Sequence, residues 1–170
     1  MEKLKAFLRV IDTISEWSGR IFGWTMVMIM GLSCYEVVTR RFLGKPTIWT
    51  HEILSYLFCG SVMLLIGYTL LYKGHANVDL LYERLSPRTQ AIMDIVTYIF
   101  FMGLFTVVFF GNGIRFAATS WSMMERTPSA FNFYVFPAKT LIPLGAFLLL
   151  MQWLSDLIKR IVFVAKGERL

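Results

Sequence analysis

Hydrophobic residues in this chain come in four long runs separated by shorter polar stretches. The runs cover approximately residues 21–38, 53–72, 91–110 and 141–164. Each run is close to the length of about 20 residues that a helix needs to cross the hydrocarbon core of a bilayer. The pattern therefore predicts four transmembrane helices, which form a single membrane domain over residues 1–170.

Two further segments show helical periodicity without the length of a span. In residues 2–18 apolar residues recur on one side of a helix and charged residues occupy the other. This pattern predicts an amphipathic N-terminal helix that lies in the membrane interface or packs on a neighbour. Residues 73–90 are polar at both ends and predict a short surface helix between spans two and three. The predicted fold class is an all-α integral membrane protein with these two additions.

Composition and charge agree with a membrane location. The chain is 56% hydrophobic and 16% aromatic, which is more apolar than a soluble domain of this size. Its net charge of +6 comes from cations at the ends of the apolar runs, so it does not indicate nucleic-acid binding. Four spans place eleven cations on the side of the termini and six on the other. The positive-inside rule then predicts that both termini are cytoplasmic.

The first connection between spans is unusually dense in charge. Its charged or titratable residues are Glu36, Arg40, Arg41, Lys45, His51 and Glu52. Glu52 lies at the start of the second run, where an unpaired carboxylate would be costly. We therefore expect a cationic partner for it, either Arg40 or Arg41 or a cation on another protein. The alternative is a loop whose charges all reach water. Trp49 is expected at the membrane–water boundary.

Small and polar residues mark further candidate contacts. Gly60 and Gly67 are seven residues apart and predict a helix-packing face on the second span. Gln152 and Asp156 fall near one face of the fourth span and give it a polar edge. The third span ends in GNGIRF, residues 111–116, where we expect the helix to fray at the membrane surface.

The sequence offers little that points to catalysis. His51 and His75 are separated by the whole second span, about 36 Å along a helix, so they cannot ligate one haem within one subunit. We recognise no catalytic dyad, metal-ligand set or nucleophile motif, and no inverted repeat of the kind found in self-contained transporters. We expect no enzymatic activity and no cofactor. These features favour an accessory or scaffold subunit, and a membrane anchor of a respiratory enzyme with a haem or quinone site is the alternative.

Three stretches, taken together, resemble a known family. They are YEVVTRRFLGKPTIWTHEILSYLF at 35–58, GYTLLYKGHANVDLLYERLSPR at 67–88, and the turn Thr127-Pro128-Ser129 followed by FPAKTLIPLGAFLLLMQ at 136–152. In their order and spacing they are similar to the small membrane subunit of tripartite ATP-independent periplasmic (TRAP) transporters, the DctQ family.

The resemblance implies a bacterial inner-membrane protein with two protein partners. A large membrane subunit of the DctM type would carry out transport driven by a sodium gradient. A periplasmic binding protein of the DctP type would deliver the substrate, commonly a C4-dicarboxylate, a sialic acid or another organic acid. The small subunit would support the stationary scaffold in the lipid bilayer and would bind no cofactor of its own.

The matching motifs also suggest roles for individual residues. Those that would brace the outward side of the first two helices are Arg40, Arg41, Trp49 and Glu52. Those that would shape the cytoplasmic turn are Gly74, His75 and Asp79. Those in the outward connection, where a binding protein could dock, are Thr127, Pro128 and Ser129. The alternative interpretation is that all of these residues only hold the subunit's own fold.

Overall fold

A computed structural model describes residues 2–45, 47–72, 89, 95–129 and 132–166. The structure is helical, and its described part contains four helices that are long and apolar enough to cross a membrane. We label them by their α-helical bounds as α1 (Glu2–Phe42), α2 (Ile48–Leu71), α3 (Leu104–Ser122) and α4 (Phe136–Lys166). A π-helical segment, Tyr98–Gly103, leads into α3 without a break. The predicted all-α membrane class with four long apolar helices is confirmed.

The N-terminal segment is helical, but it is not a separate element. α1 continues without interruption from the amphipathic residues 2–18 through the first apolar run. Gly19 lies at the expected junction, and the ring of Tyr68 on α2 occupies the space beside it. A Cβ atom on Gly19 would lie 2.0 Å from a ring carbon of Tyr68. The small residue therefore serves close packing of α1 on α2 and does not mark a break between two helices.

Several helix ends also lie beyond the predicted spans. α2 begins at Ile48, so Glu52 belongs to its N-terminal part. The expectation that residues 111–116 fray was wrong, because α3 continues to Ser122. Gly113 faces the backbone of Pro143 on α4, and the packing face continues beyond it through the buried Ala117. α4 begins at Phe136, before the predicted start.

The predicted surface helix at 73–90 falls almost entirely outside the described residues. The same holds for Gly74, His75 and Asp79. The predicted start of the third span at residue 91 also lies outside them.

The helices pack side by side in the order α1, α2, α4, α3. The main contacts are between α1 and α2, between α2 and α4, and between α4 and α3. α1 touches α4 as well, but α3 packs extensively only on α4 among the described helices. The arrangement is an open layer, so the two outer helices expose much of their apolar surface.

Small residues permit the close approach of α2 and α4. A Cβ atom on Gly145 would lie 2.4 Å from the carbonyl oxygen of Met63, so the two backbones are nearly in contact there. Gly60 lies against the side chain of Leu141, and Gly67 lies against the backbone of Leu148. Packing of this kind is a main source of helix association in membranes, where lipid is as apolar as the helices themselves.

The π-helical segment is held by α4. Widening a helix from α to π geometry changes its backbone hydrogen bonds, and such segments need other partners. Here the indole Nε1 of Trp153 donates a hydrogen bond of 3.0 Å to the carbonyl oxygen of Tyr98. The indole ring also lies beside Gly103, where a Cβ atom would come within 2.7 Å of a ring carbon. One side chain of α4 thus both bonds and packs against this part of the third helix.

Candidate functional site

Glu52 lies at the centre of a buried cluster at one end of the layer, which we call the Glu52 end. Only 7% of the surface of Glu52 is exposed. The hydroxyl of Thr127 donates a hydrogen bond of 3.1 Å to Glu52 Oε1, and the hydroxyl of Ser129 donates to the same oxygen. The two hydroxyl oxygens lie 3.1 Å apart. The connection between α3 and α4 is therefore fastened to the first turns of α2.

Arg40 and Arg41, the two arginines that precede Glu52 in the sequence, do not pair with it. Arg40 binds Glu36 on the next turn of α1, with Nη2 2.8 Å from Oε1, and Arg41 is exposed. The hydroxyl of Thr47 also donates to Glu36. Ion pairs among the described residues include Arg20–Glu16, Arg40–Glu36, Lys139–Glu125 and Lys159–Asp12. Glu52 thus has hydroxyl partners in place of the expected arginine, and in the described part of the chain its Oε2 has no hydrogen-bond donor.

The described residues of the connection that Glu52 holds also bond to one another. Thr127 and Phe133 exchange two hydrogen bonds, from Thr127 N to Phe133 O at 2.8 Å and from Phe133 N to the Thr127 hydroxyl at 3.1 Å. Asn132 turns the chain with a φ of 52°, a left-handed conformation that asparagine tolerates. The hydroxyl of Tyr56 on α2 donates to the carbonyl oxygen of Tyr134 at 3.1 Å. α2 therefore grips this loop at two points along its length.

An ion pair joins the end of α3 to the start of α4. Lys139 Nζ lies 2.5 Å from Glu125 Oε2, which also accepts a hydrogen bond of 2.7 Å from the hydroxyl of Ser120. These donors lower the pKa of the Glu125 carboxyl below its ordinary value, with the bond from Lys139 as the largest cause. The Glu125 carboxylate therefore stays ionised at neutral pH, and its contact with Lys139 closes the loop at its base.

The other predicted residues at this end have structural contacts of their own. The ring of Trp49 lies 6.2 Å from the ring of Tyr35, centroid to centroid, and links the start of α2 to α1. Pro128 is exposed at the tip of the loop between the two hydroxyls that bind Glu52. Thr127 and Ser129 therefore point toward the fold, while Pro128 faces outward.

A second polar cluster lies at the opposite end of the layer, which we call the Asp12 end. Gln152 of α4 is fully buried. Its Oε1 accepts a hydrogen bond of 2.7 Å from Ser15, and its Nε2 donates one of 3.1 Å to Asp12. Asp12 also accepts hydrogen bonds from Ser155 at 3.2 Å and from Lys159 at 2.5 Å. The cluster holds the N-terminal part of α1 against the C-terminal part of α4.

Sequence reasoning identified Gln152 but not its partners. Asp12 and Ser15 lie three residues apart on α1, and Gln152, Ser155 and Lys159 follow the same helical spacing on α4. Two polar edges of equal spacing were therefore visible in the sequence. Nothing in it indicated that these edges meet across more than 130 residues.

Both clusters consist of groups that form hydrogen bonds between distant parts of the chain. Serine and threonine hydroxyls behave similarly within the layer, where the Thr25 and Ser61 oxygens lie 2.5 Å apart and join α1 to α2. Among the described residues, no group of three or more histidine, cysteine, aspartate and glutamate side chains could hold a metal ion. The chemistry that these arrangements support is adhesion between helices.

We predict that Glu52→Ala loosens the loop between α3 and α4. The substitution removes the acceptor of two part-buried hydroxyls, and a buried group left unsatisfied costs about 1–3 kcal/mol. Glu52→Gln is the matched control, because its amide oxygen can still accept from Thr127 and Ser129. Trypsin should cleave after Arg126 faster in the Ala variant than in wild type, and near the wild-type rate in the Gln variant. Equal cleavage in all three proteins would show that Glu52 does not hold the loop.

Comparison with known proteins agrees with this architecture. Residues 29–163 match the family described as tripartite ATP-independent periplasmic transporters, DctQ component. Over 105 residues the chain is 24% identical to the sialic acid TRAP transporter permease protein SiaT of Haemophilus influenzae (strain 86-028NP). That match covers 61% of this chain but only 17% of the relative's length. Since the family match extends over most of the chain, the chain belongs to the DctQ component family of TRAP transporters.

Proposed function

We propose that this protein is the small membrane subunit of a TRAP transporter and serves as a scaffold for a large membrane subunit. The large subunit would carry out sodium-driven uptake of an organic acid that a periplasmic binding protein delivers. The similarity to a sialic acid permease favours a sialic acid as the substrate, and a C4-dicarboxylate is the other candidate. We place the chain in the bacterial inner membrane with both termini in the cytoplasm, in accordance with its distribution of cations.

The open layer of helices is the observation that carries this proposal. α3 packs extensively on a single described helix, and α1 exposes a row of large apolar side chains along its length. Polar groups buried inside the layer are bonded to each other, as between Gln152 and Ser15. Such a layer suits a protein that supports a neighbour better than one that encloses a pathway for a polar substrate.

On this proposal the Glu52 end faces the periplasm. The loop that Glu52 holds would then present Pro128 and its neighbours to the binding protein, and the hydroxyls of Thr127 and Ser129 would fix the shape of that surface. The respiratory-anchor alternative has lost its support, because the family match covers residues 29–163.

Co-expression and reconstitution would test the proposal. The tagged chain, purified in mild detergent from cells that also make the large subunit, should bring down that subunit in constant ratio. Proteoliposomes that contain both, with the binding protein outside, should take up sialic acid in a sodium-dependent manner. Vesicles that contain the large subunit alone should take up far less. Purification of the chain without the large subunit, or equal uptake by both kinds of vesicle, would contradict the proposal.

A further inference from the structure

α1 carries two apolar stripes that run along its whole length. The inner stripe includes the buried Leu8 and Ile11 and packs on the other helices. Successive residues of the outer stripe are alternately three and four positions apart in the sequence, and they are exposed in the structure. They are Phe7, Val10, Ile14, Trp17, Ile21, Trp24, Met28, Gly31, Tyr35, Val38 and Phe42. Apart from the glycine, each is between 47% and 78% exposed.

The outer stripe is longer than the hydrocarbon core of a bilayer. From Phe7 to Phe42 it extends about 52 Å at a rise of 1.5 Å per residue. The hydrocarbon core of a bilayer is about 30 Å thick. Even a helix tilted by about 40° has only about 39 Å of its length inside that core. Part of the stripe must therefore lie outside the hydrocarbon.

That part is at the Asp12 end, where α1 also carries exposed charges. Lys5, Arg9 and Arg20 are exposed on the third side of the helix over this stretch. A free amphipathic helix could lie flat in the interface and bury its apolar side in lipid. The N-terminal part of α1 is instead held along α4, because Lys159 Nζ lies 2.5 Å from Asp12 and Gln152 bonds to Ser15. The apolar side chains from Phe7 to Trp17 consequently do not lie flat on lipid, and the described residues leave them exposed.

The exposed apolar face of α3 differs from the outer stripe of α1 in its length. Together with those of the helical residues that lead into α3, its exposed apolar side chains reach from Val96 to Trp121. That distance is about 38 Å along a helix, which is within the length of about 39 Å that a helix tilted by about 40° has inside the hydrocarbon core. Lipid is a sufficient partner for α3, so its exposure does not call for a protein.

We propose that the outer stripe of α1 is the surface on which a long helix of the large membrane subunit packs, both within the bilayer and beyond its surface at the Asp12 end. This inference rests on the proposed function. The steps of three and four residues are those of helix pairs that cross at a shallow angle. Trp17 and Trp24 supply large aromatic surfaces of the kind enriched in protein interfaces.

The size of the related permease supports this choice of occupant. The segment similar to this chain makes up 17% of that protein, so the remainder of the polypeptide is several times longer than the matching segment. In that relative, the segment and a much longer remainder are joined in one chain. A large subunit is therefore a better candidate for the stripe than a second copy of this chain.

Photo-crosslinking in the assembled complex would test the inference. A benzophenone amino acid is placed at Trp17 or at Met28 on the stripe, and at Phe105 on α3 as the control. We expect a crosslinked band that contains the large subunit from both stripe positions and none from Phe105. A band at twice the mass of this chain would identify a second copy on the stripe and overturn the inference. Crosslinks to lipid alone from the stripe, or to the large subunit from Phe105 only, would also overturn it.

Two glycines provide a matched pair of variants. A Cβ atom on either Gly31 or Gly23 would meet nothing within 4 Å, so leucine at either position should leave the isolated fold intact. Gly31 belongs to the outer stripe, whereas Gly23 lies on the third side of α1. Overpacking at an interface commonly weakens it by a factor of about ten, so we expect Gly31→Leu to lower recovery of the large subunit about tenfold. Gly23→Leu should recover it as wild type does, and equal recovery by both variants would overturn the inference.

Recovery of the large subunit by the wild-type protein distinguishes a failure of the proposed function from a failure of the inference about α1. If the unmodified chain recovers no large subunit, the proposed function fails. If it recovers the large subunit but the stripe positions do not crosslink to it, the inference about α1 fails while the proposed function stands.

Discussion

Gly145→Ala should lower the free energy of unfolding by about 2–3 kcal/mol, because the added methyl group has no room. Its Cβ atom would lie 2.4 Å from the carbonyl oxygen of Met63 and 2.8 Å from the carbonyl carbon. Both are backbone atoms, which cannot rotate aside as a side chain would. α2 and α4 would have to separate, and the contacts on either side of the glycine would loosen with them.

The same substitution at Gly23 provides the control. Its added methyl group would meet nothing within 4 Å, and alanine is favoured over glycine within a helix by about 0.5–1 kcal/mol. The two variants should therefore change stability in opposite directions. Equilibrium unfolding by titration with sodium dodecyl sulfate in bicelles would measure both. If Gly145→Ala lowered the free energy of unfolding no more than Gly23→Ala does, α2 and α4 would be able to move apart at little cost.

Gly145 illustrates what the sequence can and cannot predict about this fold. The lengths of the apolar runs suffice to predict four membrane helices, because the thickness of the bilayer sets the length of a span. The glycines at 60 and 67 were predicted to lie on a packing face, and both lie against α4. A glycine in an apolar run indicates that something comes close, but it does not identify the neighbour. The contact of Gly145 with Met63 therefore required the structure.

Helix ends were predicted less well for a related reason. Hydropathy locates the stretch that lipid can cover, whereas a helix ends where its backbone hydrogen bonds end. α3 continues through residues 111–116 because Gly113 and Ala117 carry its packing against α4 beyond the apolar run. α1 is one helix from Glu2 because its amphipathic part is bonded to α4. Both extensions depend on contacts between distant parts of the chain.

The environment of Glu52 shows the same limit for the candidate site. The sequence correctly indicated that a carboxylate at the start of α2 needs partners, since its burial would be costly. Arg40 and Arg41, at the end of α1, were the expected candidates. The structure supplies the hydroxyls of Thr127 and Ser129, which are 75 and 77 residues away. Hydroxyl donors are too common in a sequence to be recognised as partners before the topology is known.

Asp12→Ala should lower the free energy of unfolding by about 2 kcal/mol, because the carboxylate is the common acceptor of the cluster at the Asp12 end. Without it, the buried side chains of Gln152 and Ser155 lose an acceptor, and Lys159 loses its ion pair. Hydrogen bonds between membrane helices contribute on average about 0.6 kcal/mol each, so the loss of three together gives an effect of this size.

Glu16→Ala is the matched control, one turn further along α1. Glu16 also accepts from a cation, but its partner Arg20 lies on the same helix with 69% of its side chain exposed. Exposed pairs of this spacing contribute about 0.3–0.5 kcal/mol, so Glu16→Ala should lose no more than that. The same titration would compare the two variants. Equal losses would mean that the apolar contacts of Leu8 and Ile11 hold α1 against the layer without the cluster. α1 could then tilt into the interface, and the argument that its outer stripe needs a protein partner would lose its main support.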